Sequence, residues 1–206
     1  QNIFQNWRFR GHIAHGLGDG ITKYKDRVFT NYHSLNSNLT NNTIWSSMLD
    51  SKNQLWFGSS GGLIKQNQGK FAVFHNTDWL PSNKITSLFE DSKNHIWIGT
   101  AKGVTKIVNS DTTTYTNSSG LETKNIRAIA EYKNTIWLGT SNGVFTSNEK
   151  GFSQWKNNEA LDRNIVYCLK KWKEGIFIGT GNGLFYFDGK SVQNIKLHSS
   201  FSANYI

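Results

Sequence analysis

The side chains that could bind a metal ion or react are spaced in ways that favour structure over chemistry. His12 and His15 are three positions apart, and on a strand such residues point to opposite faces of the sheet. No cysteine and histidine residues have the spacing of a zinc site. The single cysteine, Cys168, lies in the apolar sequence IVYCL and is interpreted as a small buried residue. We therefore expect no metal ion and no reactive thiol.

Carboxylates offer no catalytic arrangement either. Asp50, Asp91 and Glu131 each stand six residues before a tryptophan, and this recurrence favours a turn-capping role. The chain shows no phosphate-binding loop, no Ser-His-Asp order and no close carboxylate pair outside these repeated positions. The sequence therefore predicts a protein that is not an enzyme and carries no cofactor.

These acids belong to a repeat that organises the whole chain of 206 residues. An aromatic residue recurs at spacings of 41, 40 and 40 residues, and a glycine follows six residues after each. The pairs are Trp56 with Gly62, Trp97 with Gly103, Trp137 with Gly143 and Phe177 with Gly183. A weaker copy has Ala14 in the place of the ring. An isoleucine is predicted to open each unit, namely Ile3, Ile44, Ile85, Ile126, Ile165 and Ile206. This periodicity indicates a repeat architecture.

Each unit reads as four short strands. In the third unit they are predicted at Ile85 to Asp91, His95 to Thr100, Val104 to Val108 and Thr112 to Asn117. Four strands in about 40 residues are typical of a β-propeller blade, whereas the coils of a β-solenoid, the alternative, are usually shorter. We predict an all-β propeller domain over residues 1–206, with blades at 3–43, 44–84, 85–125, 126–164 and 165–205. The repeated rings are expected to pack between blades.

The fullest copy, LPSNKITSLFEDSKNHIWIGTAKGV (Leu80 to Val104), resembles the two-component regulator propeller repeat. The other units resemble it with decreasing fidelity. The resemblance implies an extracytoplasmic sensor part of a bacterial histidine kinase or related signalling protein, in the periplasm or outside the cell, and many such sensors recognise glycans. It also implies rings of seven blades, so the chain is expected either to close as a five-bladed ring, which we favour, or to be part of a larger propeller.

A binding site is expected where the repeat is broken, on the face that carries the long loops. The residues flanking the opening isoleucine vary between units, and an exposed ring beside amides and cations suits a sugar. The candidates are Trp45, Trp79, Lys84, Arg127 and Asn164. The alternative for Trp45 and Arg127 is packing between blades and simple solvation.

The formal net charge of +9 is spread along the chain without basic runs, which argues against a nucleic-acid partner. No apolar run is long enough to span a bilayer, so a membrane is expected only through flanking segments. The expected partner is a small polar ligand, with an oligosaccharide as one candidate, and a homodimer of the parent protein is left open. The predicted function is ligand sensing without catalysis. The alternative is a stand-alone lectin-like or protein-binding propeller.

Overall fold

The computed structural model describes residues 7–9, 12–17, 20–67, 70–121, 125–156, 159 and 161–196. These residues form five sheets of four antiparallel strands each, and within every sheet the strands pair in chain order. Apart from one short 3-10 turn at Asn117–Ser119, the described chain has no helix. The prediction of an all-β propeller with four-stranded blades is confirmed.

Each sheet forms one blade, and the five blades follow one another along the chain. Blade one contains β1 (Trp7–Phe9), β2 (His12–Leu17), β3 (Gly20–Lys25) and β4 (Val28–Tyr32). Blade two contains β5 (Ile44–Leu49), β6 (Leu55–Ser59), β7 (Leu63–Asn67) and β8 (Lys70–Phe74). Blade three contains β9 (Ile85–Glu90), β10 (Ile96–Thr100), β11 (Gly103–Val108) and β12 (Asp111–Tyr115). Blade four contains β13 (Ile126–Tyr132), β14 (Thr135–Thr140), β15 (Gly143–Asn148) and β16 (Gly151–Gln154). Blade five contains β17 (Val166–Trp172), β18 (Gly175–Thr180), β19 (Gly183–Phe187) and β20 (Val192–Ile195).

Neighbouring blades meet through their first strands. Strand β5 contacts β9, β9 contacts β13, and β13 contacts β17. Because each first strand is also an edge of its own sheet, these four strands form the inner side of the propeller. Side chains on β5, β9, β13 and β17 are therefore the ones that can approach one another around the axis.

Three of the four repeated aromatic rings pack between blades, as predicted, whereas Phe177 is half-buried and contacts Tyr186 of its own blade. Trp97 in blade three is 4% exposed and packs in one cluster with Ile126, Ile136 and Leu138 of blade four. Trp56 and Trp137 are buried in the same way against blades three and five. Since one such ring is supplied by each of these blades, the repeat of the sequence is a repeat of the inter-blade core.

The first glycine after each ring lets the next blade approach closely. A Cβ atom built on Gly58, Gly99 or Gly139 would lie 2.7, 2.8 or 2.7 Å from a side-chain carbon of the residue that opens the next blade. Those opening residues are Ile85, Ile126 and Val166. Glycine is required at these positions because any side chain would occupy the space of the neighbouring blade.

Blade five opens one residue later than predicted. Val166, and not Ile165, pairs with Thr180, as Ile126 pairs with Thr140 in blade four. Val166 is fully buried, whereas Ile165 is 36% exposed. The turn between the first two strands is one residue shorter in blades four and five, which moves the opening residue relative to the ring. The predicted openers Ile3 and Ile206 lie outside the described residues.

The far face of blade five is not covered by described residues. Trp172 is 55% exposed, whereas Tyr132 at the same register position of blade four is 5% exposed. Cys168, predicted to be buried, is also exposed on this strand, because no blade is described that covers it as blade five covers Ala128. The closure of five blades into a ring stays a prediction.

Candidate functional site

The recurring aspartates are structural, as predicted. The carboxylate of Asp91 accepts hydrogen bonds from the backbone N–H groups of Lys93 and His95 and, at 2.8 Å, from the indole N–H of Trp97. Asp50 makes the same contacts with Lys52, Gln54 and Trp56. Burial alone would raise the pKa of Asp91, but hydrogen bonds from Trp97, His95 and Lys93 stabilise the carboxylate and hold its pKa below its ordinary value.

The turn-capping role predicted for Glu131 is wrong. Its carboxylate reaches from blade four to blade three, where it accepts hydrogen bonds of 2.7 Å from the backbone N–H and the hydroxyl of Ser92. Glu131 pairs with Ile136, the register position that Glu90 has opposite Ile96. The short turn of blade four makes Glu131 fall six residues before the ring, although it corresponds to Glu90 and not to Asp91.

A β-bulge near the start of each inner strand sets the geometry of the candidate site. The pairing register shifts by one residue just after the opening position in blades two to five. The extra residues are Trp45, Thr86, Arg127 and Tyr167. Bulges leave their extra residue out of the regular ladder and re-aim its side chain. The four bulge residues therefore occupy equivalent places on the inner side of the propeller.

In blade two, the bulge residue Trp45 forms an exposed pair with Lys84. The Trp45 side chain is 47% exposed, and its indole N–H donates a hydrogen bond of 2.7 Å to the hydroxyl of Ser60. The ammonium nitrogen of Lys84 lies 4.8 Å from the centroid of the Trp45 ring. This distance is that of a cation–π contact. The structure thus brings two of the five predicted site residues together.

In blade four, Arg127 lies against the bulge residue of blade five. Its guanidinium carbon is 5.3 Å from the centroid of the Tyr167 ring, which is 43% exposed. The Arg127 Nε and the Asn125 Oδ1 are buried and have no hydrogen-bond partner among the described residues. Unpaired buried polar atoms are uncommon in proteins and are often satisfied by a bound molecule or water.

Blade three provides no such pair. The Thr86 hydroxyl donates hydrogen bonds to the backbone carbonyls of Gly99, at 3.1 Å, and of Ile126 in blade four. Thr86 therefore contributes to the contact between blades.

Trp79 lies apart from the bulge residues. Its ring centroid is 5.5 Å from that of Phe74 on β8, and its carbonyl accepts a hydrogen bond from Thr114 on β12. Both strands are the outermost of their blades. Trp79 lines a separate surface groove of about 670 Å³ with Asn76, Leu80, Pro81, Lys102, Thr114, Thr116 and Asn117.

Asn164 also has a different place from the one predicted. Because blade five opens at Val166, the residue before the opener is Ile165, whose carbonyl accepts a hydrogen bond from Gly181. Lys84 and Asn125 make the equivalent backbone contacts in blades three and four. Asn164 is one residue earlier, and its Oδ1 accepts a hydrogen bond of 2.7 Å from Asn182.

Tyr167 is a candidate site residue that the sequence prediction missed. The cause is the same shift in blade five, since Val166 had been placed after the opener. A direct alignment of EYKNTIW (Glu131 to Trp137) with KWKEGIF (Lys171 to Phe177) contains the signal, because both turns lack the residue present in EDSKNHIW. That alignment places Val166 opposite Ile126 and Tyr167 opposite Arg127.

The described residues contain no group of three side chains that could hold a metal ion. Both His12 and His15 lie on one strand, β2, as assumed for the pair. In the described part of the chain, no helix has the length and hydropathy to cross a membrane.

Comparison with known proteins supports the repeat at two places. Residues 38–61 and 80–102 match the family model described as two component regulator propeller, which confirms the resemblance seen in the sequence. Each segment runs from the loop before the first strand to the turn after the second strand of blades two and three. Blades two and three of this β-propeller thus contain segments similar to the two-component regulator propeller repeat. No curated protein matches the chain as a whole.

Solved structures share the arrangement of the blades. The extracellular domain of the hybrid two-component system BT3049 from B. thetaiotaomicron is 25% identical, with a TM-score of 0.79 over 92% of this chain and 28% of that domain. The extracellular domain of BT4673 from the same organism is 22% identical, with a TM-score of 0.74 over 86% of this chain and 26% of that domain. Virginiamycin B lyase from Staphylococcus aureus is 14% identical, with a TM-score of 0.69 over 95% of this chain and 70% of the lyase.

The two B. thetaiotaomicron domains are far longer than this chain, which spans less than a third of each. The likeness to BT4673 and to the lyase shows the fold alone.

Proposed function

We propose that this chain is a non-catalytic, ligand-binding part of an extracytoplasmic bacterial sensor. The likeness to the extracellular domain of BT3049 and the two matching repeats support this class of protein. In the proposed role, a polar ligand binds where the inner strands begin, and the domain passes the binding event to signalling segments of the parent protein. The ligand class that fits best is an acidic oligosaccharide.

The observation that carries the proposal is that an exposed bulge ring pairs with a cation at two places on the inner side of the propeller. Trp45 lies beside Lys84, and Tyr167 lies beside Arg127, and both rings are more than 40% exposed. An aromatic ring can stack on the apolar face of a sugar, while a guanidinium donates paired hydrogen bonds to a carboxylate.

Titration calorimetry with acidic and neutral oligosaccharides tests the proposal. Oligogalacturonides and neutral gluco-oligosaccharides serve as the two probe sets. The Arg127→Ala variant should bind the acidic set about tenfold more weakly, as expected for the loss of a hydrogen bond to a charged group. Lys156→Ala is the matched control, because Lys156 is an exposed cation in the loop that precedes blade five. It should change the affinity less than about twofold.

Tyr167→Ala should weaken binding to a similar extent, whereas Tyr167→Phe should keep the stacking surface and most of the affinity. Equal affinities of the wild-type and Arg127→Ala chains would contradict the proposal. A ligand that perturbs only residues at the opposite ends of the inner strands would contradict it as well.

A further inference from the structure

A second cavity lies at the opposite ends of the inner strands from the bulge residues. Its volume is about 350 Å³, at the small end of the range for ligand pockets. It is lined by the ends of β9, β13 and β17, and Phe89, Ile129 and Leu169 supply its apolar wall. Lys170 and Lys171 are exposed at its rim. We propose that this cavity binds a small organic carboxylate.

At this cavity a lysine stands in the place of an acid that joins neighbouring blades elsewhere in the propeller. Lys171 pairs with Ile176, the register position of Glu90 in blade three and Glu131 in blade four. Glu90 and Glu131 each bind the serine of the preceding blade's turn, Ser51 or Ser92. Between blades four and five, a lysine stands in place of the acid.

The residue that takes the place of the serine in this interface is also different. Ser51 and Ser92 are the first residues of their turns, and Lys133 has this place in blade four. Lys133 lies with its ammonium nitrogen 5.4 Å from the centroid of the Tyr132 ring. The interface between blades four and five thus has lysines at both positions where the two preceding interfaces have a Glu–Ser pair. Lys171 therefore has no serine opposite it of the kind that binds the acid in the other two interfaces.

Neither Lys170 nor Lys171 forms an ion pair with a described residue. Glu131 also lines the cavity, but both of its carboxylate oxygens accept hydrogen bonds from Ser92. Lys171 therefore stands at the rim beside one carboxylate whose oxygens already accept hydrogen bonds.

The apolar wall decides the kind of anion. Ile129 is 8% exposed, and Phe89 and Leu169 are half-buried, so a ligand that covers them gains by removing apolar surface from water. Inorganic phosphate would gain nothing from this wall and would lose hydration. A carboxylate with a short hydrocarbon or aromatic part satisfies both halves of the cavity, because its charge meets the lysines and its body lies on the three apolar side chains.

A matched pair of probes separates this site from general charge attraction. We would titrate 4-phenylbutyrate and its neutral amide, 4-phenylbutyramide, into the full chain and follow backbone amide signals by NMR. The acid should bind at least about tenfold more tightly than the amide, and should shift the signals of Ile129 and Leu169. Equal affinities of acid and amide would overturn the proposal, as would shifts confined to other residues.

Three variants test the residues. The double variant Lys170→Gln/Lys171→Gln should lose at least about tenfold in affinity for the acid. Lys93→Gln should lose less than about twofold, because Lys93 is exposed in a turn at the same end of the sheet but does not line the cavity. Lys171→Arg keeps the charge and should retain binding. Unchanged affinity in the double variant, or an equal loss in Lys93→Gln, would overturn the proposal.

The outcome is independent of the site proposed at the bulges. Arg127→Ala should leave 4-phenylbutyrate binding unchanged, since Arg127 lies at the other end of β13. Loss of binding in Arg127→Ala but not in the double lysine variant would place the carboxylate at the bulges and overturn the second site.

Discussion

The carboxylate of Glu131 in blade four accepts two hydrogen bonds of 2.7 Å from Ser92 in blade three, one from the backbone N–H and one from the hydroxyl. Glu90 binds Ser51 of blade two through the same two groups, at 2.8 and 2.7 Å. The same contact thus joins two successive pairs of blades. It involves two residues from different repeats, and so it is a property of the assembled propeller.

A double-mutant cycle should measure this contact. We expect Glu131→Ala and Ser92→Ala to show a coupling free energy of about 1 kcal/mol in urea unfolding. A hydrogen bond to a charged group stabilises a protein by more than this when buried, but Glu131 is partly exposed to water, which reduces the contribution. Glu131→Ala with Ser51→Ala is the control, since these residues belong to different contacts. Additive effects in the first cycle would show that the hydrogen bond from the Ser92 hydroxyl does not stabilise the fold.

The inter-blade ring Trp97 should be a stability residue. Trp97→Ala should lower the free energy of unfolding by roughly 3–5 kcal/mol, because a large buried aromatic side chain leaves a cavity when removed. Trp172→Ala is the matched control, since Trp172 is 55% exposed on the face of blade five that no described residue covers, and it should cost less than about 1 kcal/mol. Chemical denaturation of both variants measures the difference. A Trp97→Ala variant with the wild-type unfolding midpoint would contradict the packing role.

Asp91 should make stability depend on pH in acid. Its pKa is lowered in the folded protein, because hydrogen bonds from Trp97, His95 and Lys93 outweigh the effect of burial. A carboxylate with a lowered folded pKa contributes stability that is fully present above its unfolded pKa, about 3.9, and lost as the pH falls through the folded pKa.

The comparison of wild type with Asp91→Asn measures this dependence. The stability difference between them should be constant from pH 7 to about 5 and should shrink as the pH falls below about 4. Asp111→Asn, at an exposed strand end, corrects for general charge effects. A difference that stays constant down to pH 2.5 in urea unfolding would show that the ionised form of Asp91 is not what the hydrogen bonds stabilise.

Gly99 should not tolerate a methyl group. A Cβ atom at this position would lie 2.1 Å from the Ser87 hydroxyl oxygen and 2.8 Å from a methyl carbon of Ile126 in the next blade. Gly99→Ala should therefore cost about 1–3 kcal/mol through overpacking. Gly181→Ala is the control, because a Cβ atom there would meet only a Tyr167 carbon at 3.8 Å. Equal thermal midpoints of the two variants would contradict the close approach of blades three and four.

The repeated contacts of this fold could be predicted from the sequence because the same kind of residue makes the same contact in each blade. Trp56, Trp97 and Trp137 all fill a gap between blades, so the ring recurs with one period and identifies the propeller. Asp50 and Asp91 cap the same turn and bind the ring six residues later, so their role also follows from spacing. Both contacts lie within one repeat or at a position that every interface shares.

The pairing register of the first strands in blades four and five could not be predicted by counting residues back from the repeated aromatic ring. A turn shorter by one residue in blades four and five leaves the ring period almost unchanged but moves the opener to Val166 and gives Glu131 the place of Glu90. Period measures only the distance between rings, whereas register depends on which backbone groups pair. The strand ladder therefore decided which residues are equivalent.

The sequence by itself determined the all-β fold, the four-stranded blades, the residues of the inter-blade core and the positions where the repeat is broken, since each follows from a pattern within about 40 residues. Only the tertiary structure decided which of the variable residues meet. It brought Trp45 to Lys84 and Arg127 to Tyr167, and it left Trp79 on the outer strands. Arg127 and Tyr167 belong to different repeats, whereas Trp45 and Lys84 lie at opposite ends of one repeat. Both distances depend on how neighbouring blades pack, which the repeat pattern does not encode.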